Sequence, residues 1–216
     1  MTTFNDNSSD SSLRKIAVIG SGLAGLTAAL RLFAQGLSVS VFEKSRGPGG
    51  RLAAKRLPEG SADIGAQYFT LRNPEFKRFL AEYGGVEHYA EWSAKLRYQV
   101  ATGQWEDFRP AHRYVGVPRM TAISRALSRH LDVHYQVRIG HLERLAVSGW
   151  RLLDDQGKDQ GSFDAVIVTA PPAQTQELLQ RSGLDALARS APLNEVQMLP
   201  CWTVIAHFSA PLGLAC

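Results

Sequence analysis

Six residues near the start of the chain, Gly20-Ser21-Gly22-Leu23-Ala24-Gly25, have the G-x-G-x-x-G spacing with which a backbone wraps a pyrophosphate. Gly20 permits a tight turn, Gly22 lets the main chain approach an anion, and Gly25 lets a helix pack closely on a strand. Amides at the start of such a helix lack partners and carry partial positive charge, which suits phosphate oxygens. Glu43 stands eighteen positions beyond Gly25, where a carboxylate accepts hydrogen bonds from a ribose diol and disfavours a 2′-phosphate. Arg46-Gly47-Pro48-Gly49-Gly50-Arg51 follows almost at once. Its glycines can bring amides near a ligand, and Arg51 offers a planar fork matched to phosphate. The alternative for this stretch is a solvated basic loop.

Other reactive side chains are less organised. Cys201 and Cys216 lie far from any C-x-x-C spacing, so neither a zinc site nor a redox pair is expected. His130 and His134 are four apart, but Leu131-Asp132-Val133 between them reads as a helix end, which points to structural histidines. His112, His141 and His207 show no partner pattern. Trp92, Tyr98, Trp105 and Trp202 suit either a cavity lining or a core. The net charge of +4 comes from 24 basic and 20 acidic residues without a run of like charge, which argues against nucleic acid as a partner.

Regular elements must position these groups. Residues 15–19 (KIAVI) form a β-branched apolar run that predicts a buried parallel strand ending at Gly20. Residues 23–35 then place Leu23, Leu26, Leu30 and Phe33 on one helical stripe, and Gly36 stops it. Residues 38–43 (SVSVFE) complete a βαβ unit. Glycine-rich extended chain follows, with a turn at 58–60. Asn73-Pro74 starts a helix carrying Phe76, Phe79, Leu80 and Tyr83, and residues 91–108 predict a hairpin turning at 101–103. Pro118 predicts another helix start, with Met120, Ile123, Leu127 and Leu131 as its stripe. Strands are expected at 133–136, 139–146, 150–153, 163–169 and 202–208, with short helices at 174–180 and 185–189. Residues 1–13 are polar and lack the basic start and apolar stretch of a signal peptide. They predict a disordered tail on a cytoplasmic protein, with no apolar run long enough to cross a membrane.

GSGLAG, VFEKSRGPGGR and ADIGAQYFT at residues 62–70 together resemble the flavoprotein amine oxidase superfamily. GAQYFT, with PCW at 200–202, is most similar to its bacterial renalase-like branch. The resemblance implies an α/β, Rossmann-like two-dinucleotide FAD-binding domain with an inserted, incomplete mixed-sheet substrate domain. It implies residues 14–72 and 117–175 for the first and residues 73–116 and 176–216 for the second. It further implies that Gly20, Gly22, Ala24 and Gly25 hold the FAD pyrophosphate, that Glu43 and Lys44 contact the adenosine ribose, and that Arg51 holds phosphate. Gln67 and Tyr68 would flank the ribityl chain and flavin ring, and the Ile139 backbone would meet adenine.

The implied activity is oxidation of isomeric dihydronicotinamide dinucleotides to NAD(P)+, with oxygen reduced to hydrogen peroxide. Orientation rather than a general base would carry the chemistry. Arg97, Arg109 and Arg113 are candidates for holding a phosphorylated substrate. Two alternatives stand beside it: an amine oxidase or desaturase of the same superfamily, and a non-catalytic FAD-binding fragment. Members of the superfamily extend well past this length, so a chain ending at Cys216 is expected to be truncated.

Overall fold

The computed structural model describes residues 14–210 apart from 59, 95, 109 and 110. The expected tail, Arg109 and Cys216 lie outside the described residues.

Strand β1 (Lys15–Ile19) runs into the glycine turn, helix α1 (Leu23–Phe33) follows, and β2 (Ser38–Glu43) returns beside β1 in parallel register, Ile19 opposite Phe42. The three elements form as the apolar patterns require. Ala17 and Val18 on β1 and Leu26, Ala29 and Leu30 on α1 have no exposed surface. Phe33 departs from the expected stripe and is 54% exposed. Gly36, at φ +80°, adopts the left-handed conformation that lets the chain leave the helix.

Strands β3 (Ala54–Leu57) and β4 (Gly60–Asp63) make the expected turn-linked pair. The Asn73 side chain then caps α2 (Pro74–Phe79), accepting hydrogen bonds from the amides of Glu75 and Phe76. A wider helical turn at Leu80–Gly84 prolongs it. Beyond it, β5 (Tyr89–Glu91) waits for a partner while β6 (Arg97–Gln99) and β7 (Trp105–Asp107) close the predicted hairpin. That partner is β8 (Tyr114–Gly116). Helix α3 (Thr121–Ser128) begins three residues after Pro118 rather than on it, with residues 117–119 forming a bend. Met120, Ile123 and Leu127 fill the expected stripe.

Strand β9 (Asp132–Tyr135) adds to the far side of β2. Strands β10 (Ile139–Arg144), β11 (Trp150–Asp154) and β12 (Asp159–Phe163) form a separate antiparallel sheet. The chain then re-enters the first sheet as β13 (Ala165–Val168), giving the parallel order β13-β1-β2-β9. Helices α4 (Pro172–Arg181), α5 (Asp185–Ala188) and α6 (Ala191–Glu195) complete the ordered elements. Phe42, Leu142, Leu152, Phe163 and Leu178 join the first sheet, the antiparallel sheet and α4 in one apolar cluster. A second cluster binds α1 to α2 and α3 through Leu26, Leu30, Phe79 and Leu127.

The expected strand at 202–208 does not form. Those residues have no regular structure, and Trp202 and Val204 are 93% and 90% exposed. A strand is stable only when a neighbour satisfies its amides and carbonyls, and none of the described strands pairs with this segment. No helix among the described residues is long and apolar enough to cross a membrane.

Candidate functional site

The segments that leave the carboxyl ends of the parallel strands β1, β2 and β13 converge at the end of the sheet where open α/β sheets bind ligands. There the chain opens a cavity of about 600 Å3. Gly20, Gly22, Ala24 and Gly25 line it, together with Glu43, Lys44, Arg51 and Ile139. Eight of the ten expected site residues therefore meet at one place. Ile139 belongs to the antiparallel sheet and is 7% exposed, so it is both a core strand residue and part of the wall.

The glycine turn is built as its spacing requires. Gly20 has φ +106°, its amide donates to Phe42 O at 2.8 Å, and a β-carbon there would lie 2.8 Å from Thr169 Oγ1. A β-carbon at Gly25 would sit 2.0 Å from Gly20 O. Gly22 differs, since the nearest atom to a β-carbon there is Gly50 Cα at 3.9 Å. Protein packing leaves room at Gly22, and a side chain would project into the cavity. Gly22 also precedes α1, whose N-terminus has no side-chain cap and no acidic residue in its first turn. The second glycine pair docks directly on this turn: Gly49 N donates to Ser21 O at 3.1 Å, and Gly50 approaches Gly22.

Glu43 is 7% exposed at the end of β2. Its Oε2 accepts from Ser21 N at 2.9 Å and Ser21 Oγ at 2.7 Å, and its Oε1 accepts from Ser45 N at 2.8 Å. Burial pushes its carboxyl upward, but the hydrogen bonds from Ser21 and Ser45 outweigh it, and the group titrates below its ordinary value. Lys44 Nζ donates to Gln174 Oε1 at 2.9 Å, which holds the ammonium at the rim against α4. The Arg51 guanidinium makes no hydrogen bond or ion pair with the described residues and remains available.

Gln67 and Tyr68 line a second, smaller cavity of about 320 Å3 with Gly65, Cys201 and Trp202. Ala66, between Gly65 and Gln67 in the chain, lines the first. The Arg113 guanidinium lies over the Tyr68 ring at 5.4 Å and over Phe108 at 5.3 Å. Arg97 is committed elsewhere, to Asp107 at 3.0 Å and to Trp105 O. Trp92, Tyr98 and Trp105 are 36%, 41% and 57% exposed, so they are not core. His130 bonds Tyr83 O and His134 bonds Asp132, which separates the two histidines.

Sequence reasoning missed the far wall. Thr169, Pro171, Gln174, Glu177 and Arg181 close the cavity from β13 and α4, with Arg181 paired to Glu177 at 2.5 Å. The strand followed by Pro171-Pro172 carried the signal, because a chain leaving a parallel strand crosses the same end of the sheet.

Residues 18–83 match the model of the NAD(P)-binding Rossmann-like domain family. The 1-hydroxycarotenoid 3,4-desaturase of Flavobacterium sp. is 51% identical over 59 residues, 27% of this chain and 12% of that protein. The coproporphyrinogen III oxidase of Mycobacterium tuberculosis is 36% identical over 74 residues, 33% of this chain and 16% of that protein. A solved putrescine oxidase, a variant from a redesign of its cofactor binding, superimposes with a TM-score of 0.63 at 16% identity. The superposition covers 76% of this chain and 59% of that one. The fold is Rossmann-like. The matched relatives include a carotenoid desaturase, a coproporphyrinogen III oxidase and a putrescine oxidase, and they single out no one activity. The matched stretches span 12% and 16% of the two curated relatives and 59% of the putrescine oxidase, under two thirds in each case.

Proposed function

We propose that the cavity binds FAD and that the protein acts as an FAD-dependent oxidoreductase. The observation that carries this is Gly22: its missing side chain serves no packing need, yet leaves the cavity open at an uncapped helix start. The donor set fits the group. Amides of the glycine turn and Arg51 suit the pyrophosphate, Glu43 a ribose hydroxyl, and Gln67 and Tyr68 the flavin end. Lys44, held by Gln174, flanks the ribose, and the Ile139 backbone the adenine. In this division residues 14–72 and 117–175 serve the cofactor, while 73–116 and 176–216 serve the substrate. Bound FAD supplies a ring that accepts a hydride and returns its electrons to oxygen.

The substrate we favour is a 2- or 6-dihydro isomer of NAD(P)H, as in the renalase-like branch. It loses a hydride to become NAD(P)+, while oxygen gains that hydride and a proton to become hydrogen peroxide. Arg113 on the face of Tyr68 supports this reading, because a fixed guanidinium beside the flavin end attracts a phosphorylated substrate and repels an amine cation. The second reading is a desaturase acting on an apolar substrate, favoured by the carotenoid desaturase matches.

Visible absorbance of the purified chain tests the first step: yellow protein with bound flavin is expected, and colourless protein that takes up no added FAD overturns it. Peroxide release with the dihydronicotinamide isomers, but not with primary amines, is the expected second result. Turnover of a carotenoid precursor with no response to the isomers would transfer the assignment to the desaturase reading.

A further inference from the structure

An ionised carboxylate offers about four lone-pair positions to donors. On Glu43 the protein itself supplies donors to both oxygens: Ser21 N and Ser21 Oγ to Oε2, and Ser45 N to Oε1. Ser21 has no exposed surface, and Glu43 retains 7%. The Ser45 hydroxyl bonds the carboxylate as well, and Glu43 still lines the cavity wall.

The G-x-G-x-x-G spacing asks only that the residue between the first two glycines be small, and alanine would meet that need. The Ser21 hydroxyl is therefore unexplained by the turn. We infer that Ser21 is a positioning residue: with its amide, its hydroxyl holds the Glu43 carboxylate in one orientation toward the cavity and sets how far into acid the chain keeps its dinucleotide. This deepens the FAD reading and rests on it.

The electrostatics agree with the geometry. Burial alone would raise the Glu43 carboxyl, and the Ser21 hydroxyl is the first of the hydrogen bonds that bring it down instead. Other titratable groups stand nearby. Lys44, Arg51, Arg138, Glu177 and Arg181 line the cavity, and Tyr135 lies opposite Glu43 on β9. His134 stacks on Phe42 and bonds Asp132. None of these shifts Glu43, whose partners are Ser21 and Ser45.

The sign follows. A carboxyl held below its ordinary value contributes binding that is present above that value and is lost as the pH falls through the lowered one. Removing the hydroxyl moves the loss to higher pH. The test titrates FAD onto the wild-type chain and Ser21→Ala by flavin fluorescence, from about pH 8 down to about pH 4. The ratio of dissociation constants, variant over wild type, should stay under about threefold at the upper end. It should exceed about tenfold on the acid limb, as expected for loss of a hydrogen bond to a charged group.

Ser21→Cys, with a weaker donor of similar size, should give an intermediate limb, so the trend is readable even if the alanine variant folds poorly. In a Glu43→Gln background the acid limb should disappear, and Ser21→Ala should move nothing further. A ratio that does not change with pH, or an effect of Ser21→Ala that survives in Glu43→Gln, overturns the inference. Failure of the wild-type chain to bind FAD at any pH defeats the cofactor reading and this inference together. Superimposable wild-type and Ser21→Ala profiles defeat this inference alone.

Discussion

A β-carbon built at Gly25 falls 2.0 Å from Gly20 O, whereas at Gly22 it meets nothing nearer than 3.9 Å. Gly25 is glycine for the fold, whereas under the proposed FAD reading Gly22 is glycine for a ligand. Gly25→Ala should destabilise the chain by about 1–3 kcal/mol or more, because backbone must move to admit it. Gly22→Ala should leave thermal unfolding almost unchanged while weakening FAD binding at least about tenfold. Equal losses of stability in both variants would defeat the distinction. Arg51→Ala should likewise lower flavin content without lowering stability, since its guanidinium makes no contact that folding depends on. Unchanged flavin content in the purified variant would remove Arg51 from the phosphate site. At this scale the sequence was informative for Gly20, Gly25 and Glu43 because their spacing is local. It was silent on the Ser21 and Ser45 bonds to Glu43, since a serine beside a glycine turn has many possible partners.

Elements with one strong local pattern were legible: β1, α1 and β2 form where their apolar residues repeat, and the hairpin of β6 and β7 turns at 101–103 as expected. Strand β12 (DQGSF) was not, because only Phe163 on it is buried and the rest reads as polar loop. Its pairing with β11 supplies what its own residues lack. The opposite failure occurs at 202–208, where aromatic and β-branched residues suggest a strand that has no partner among the described residues. Strands β10, β11 and β12 all send residues into the shared core, Ile139 and Leu142, Leu152, and Phe163 respectively. Leu152 has no exposed surface and lies in the cluster that also holds Phe42, Phe163 and Leu178. Leu152→Ala should cost about 2–5 kcal/mol in chemical denaturation. A cost below about 1 kcal/mol would show that the sheet contributes little to the shared core.

At the scale of the whole molecule, the cavity wall comes from segments more than a hundred residues apart, from Gly20 through Ile139 to Arg181. Only the first of these segments carried a motif. The far wall was harder to read, because the strand followed by Pro171-Pro172 marks only that the chain leaves the sheet there, and Gln174, Glu177 and Arg181 acquire their role by lining the same cavity as Gly20. In contrast to this packed half, Leu199, Trp202 and Val204 stand out in solvent without secondary structure. Brief digestion with chymotrypsin should cut first after Trp202, with the segment from β1 through α4 surviving as a protected fragment. Early cleavage at Phe42 or Phe163 instead would mean that the core opens before this segment is reached.

The docking of Gly49 and Gly50 on the glycine turn has a genetic corollary. Where two stretches of main chain touch with no side chain between them, the contact is insensitive to the chemistry of nearby residues and intolerant of a change in their number. Variation in the connection from Arg46 to Pro48 can therefore proceed by substitution but not by insertion or deletion, since one residue more or fewer pulls Gly49 N away from Ser21 O and shifts the whole mould out of register.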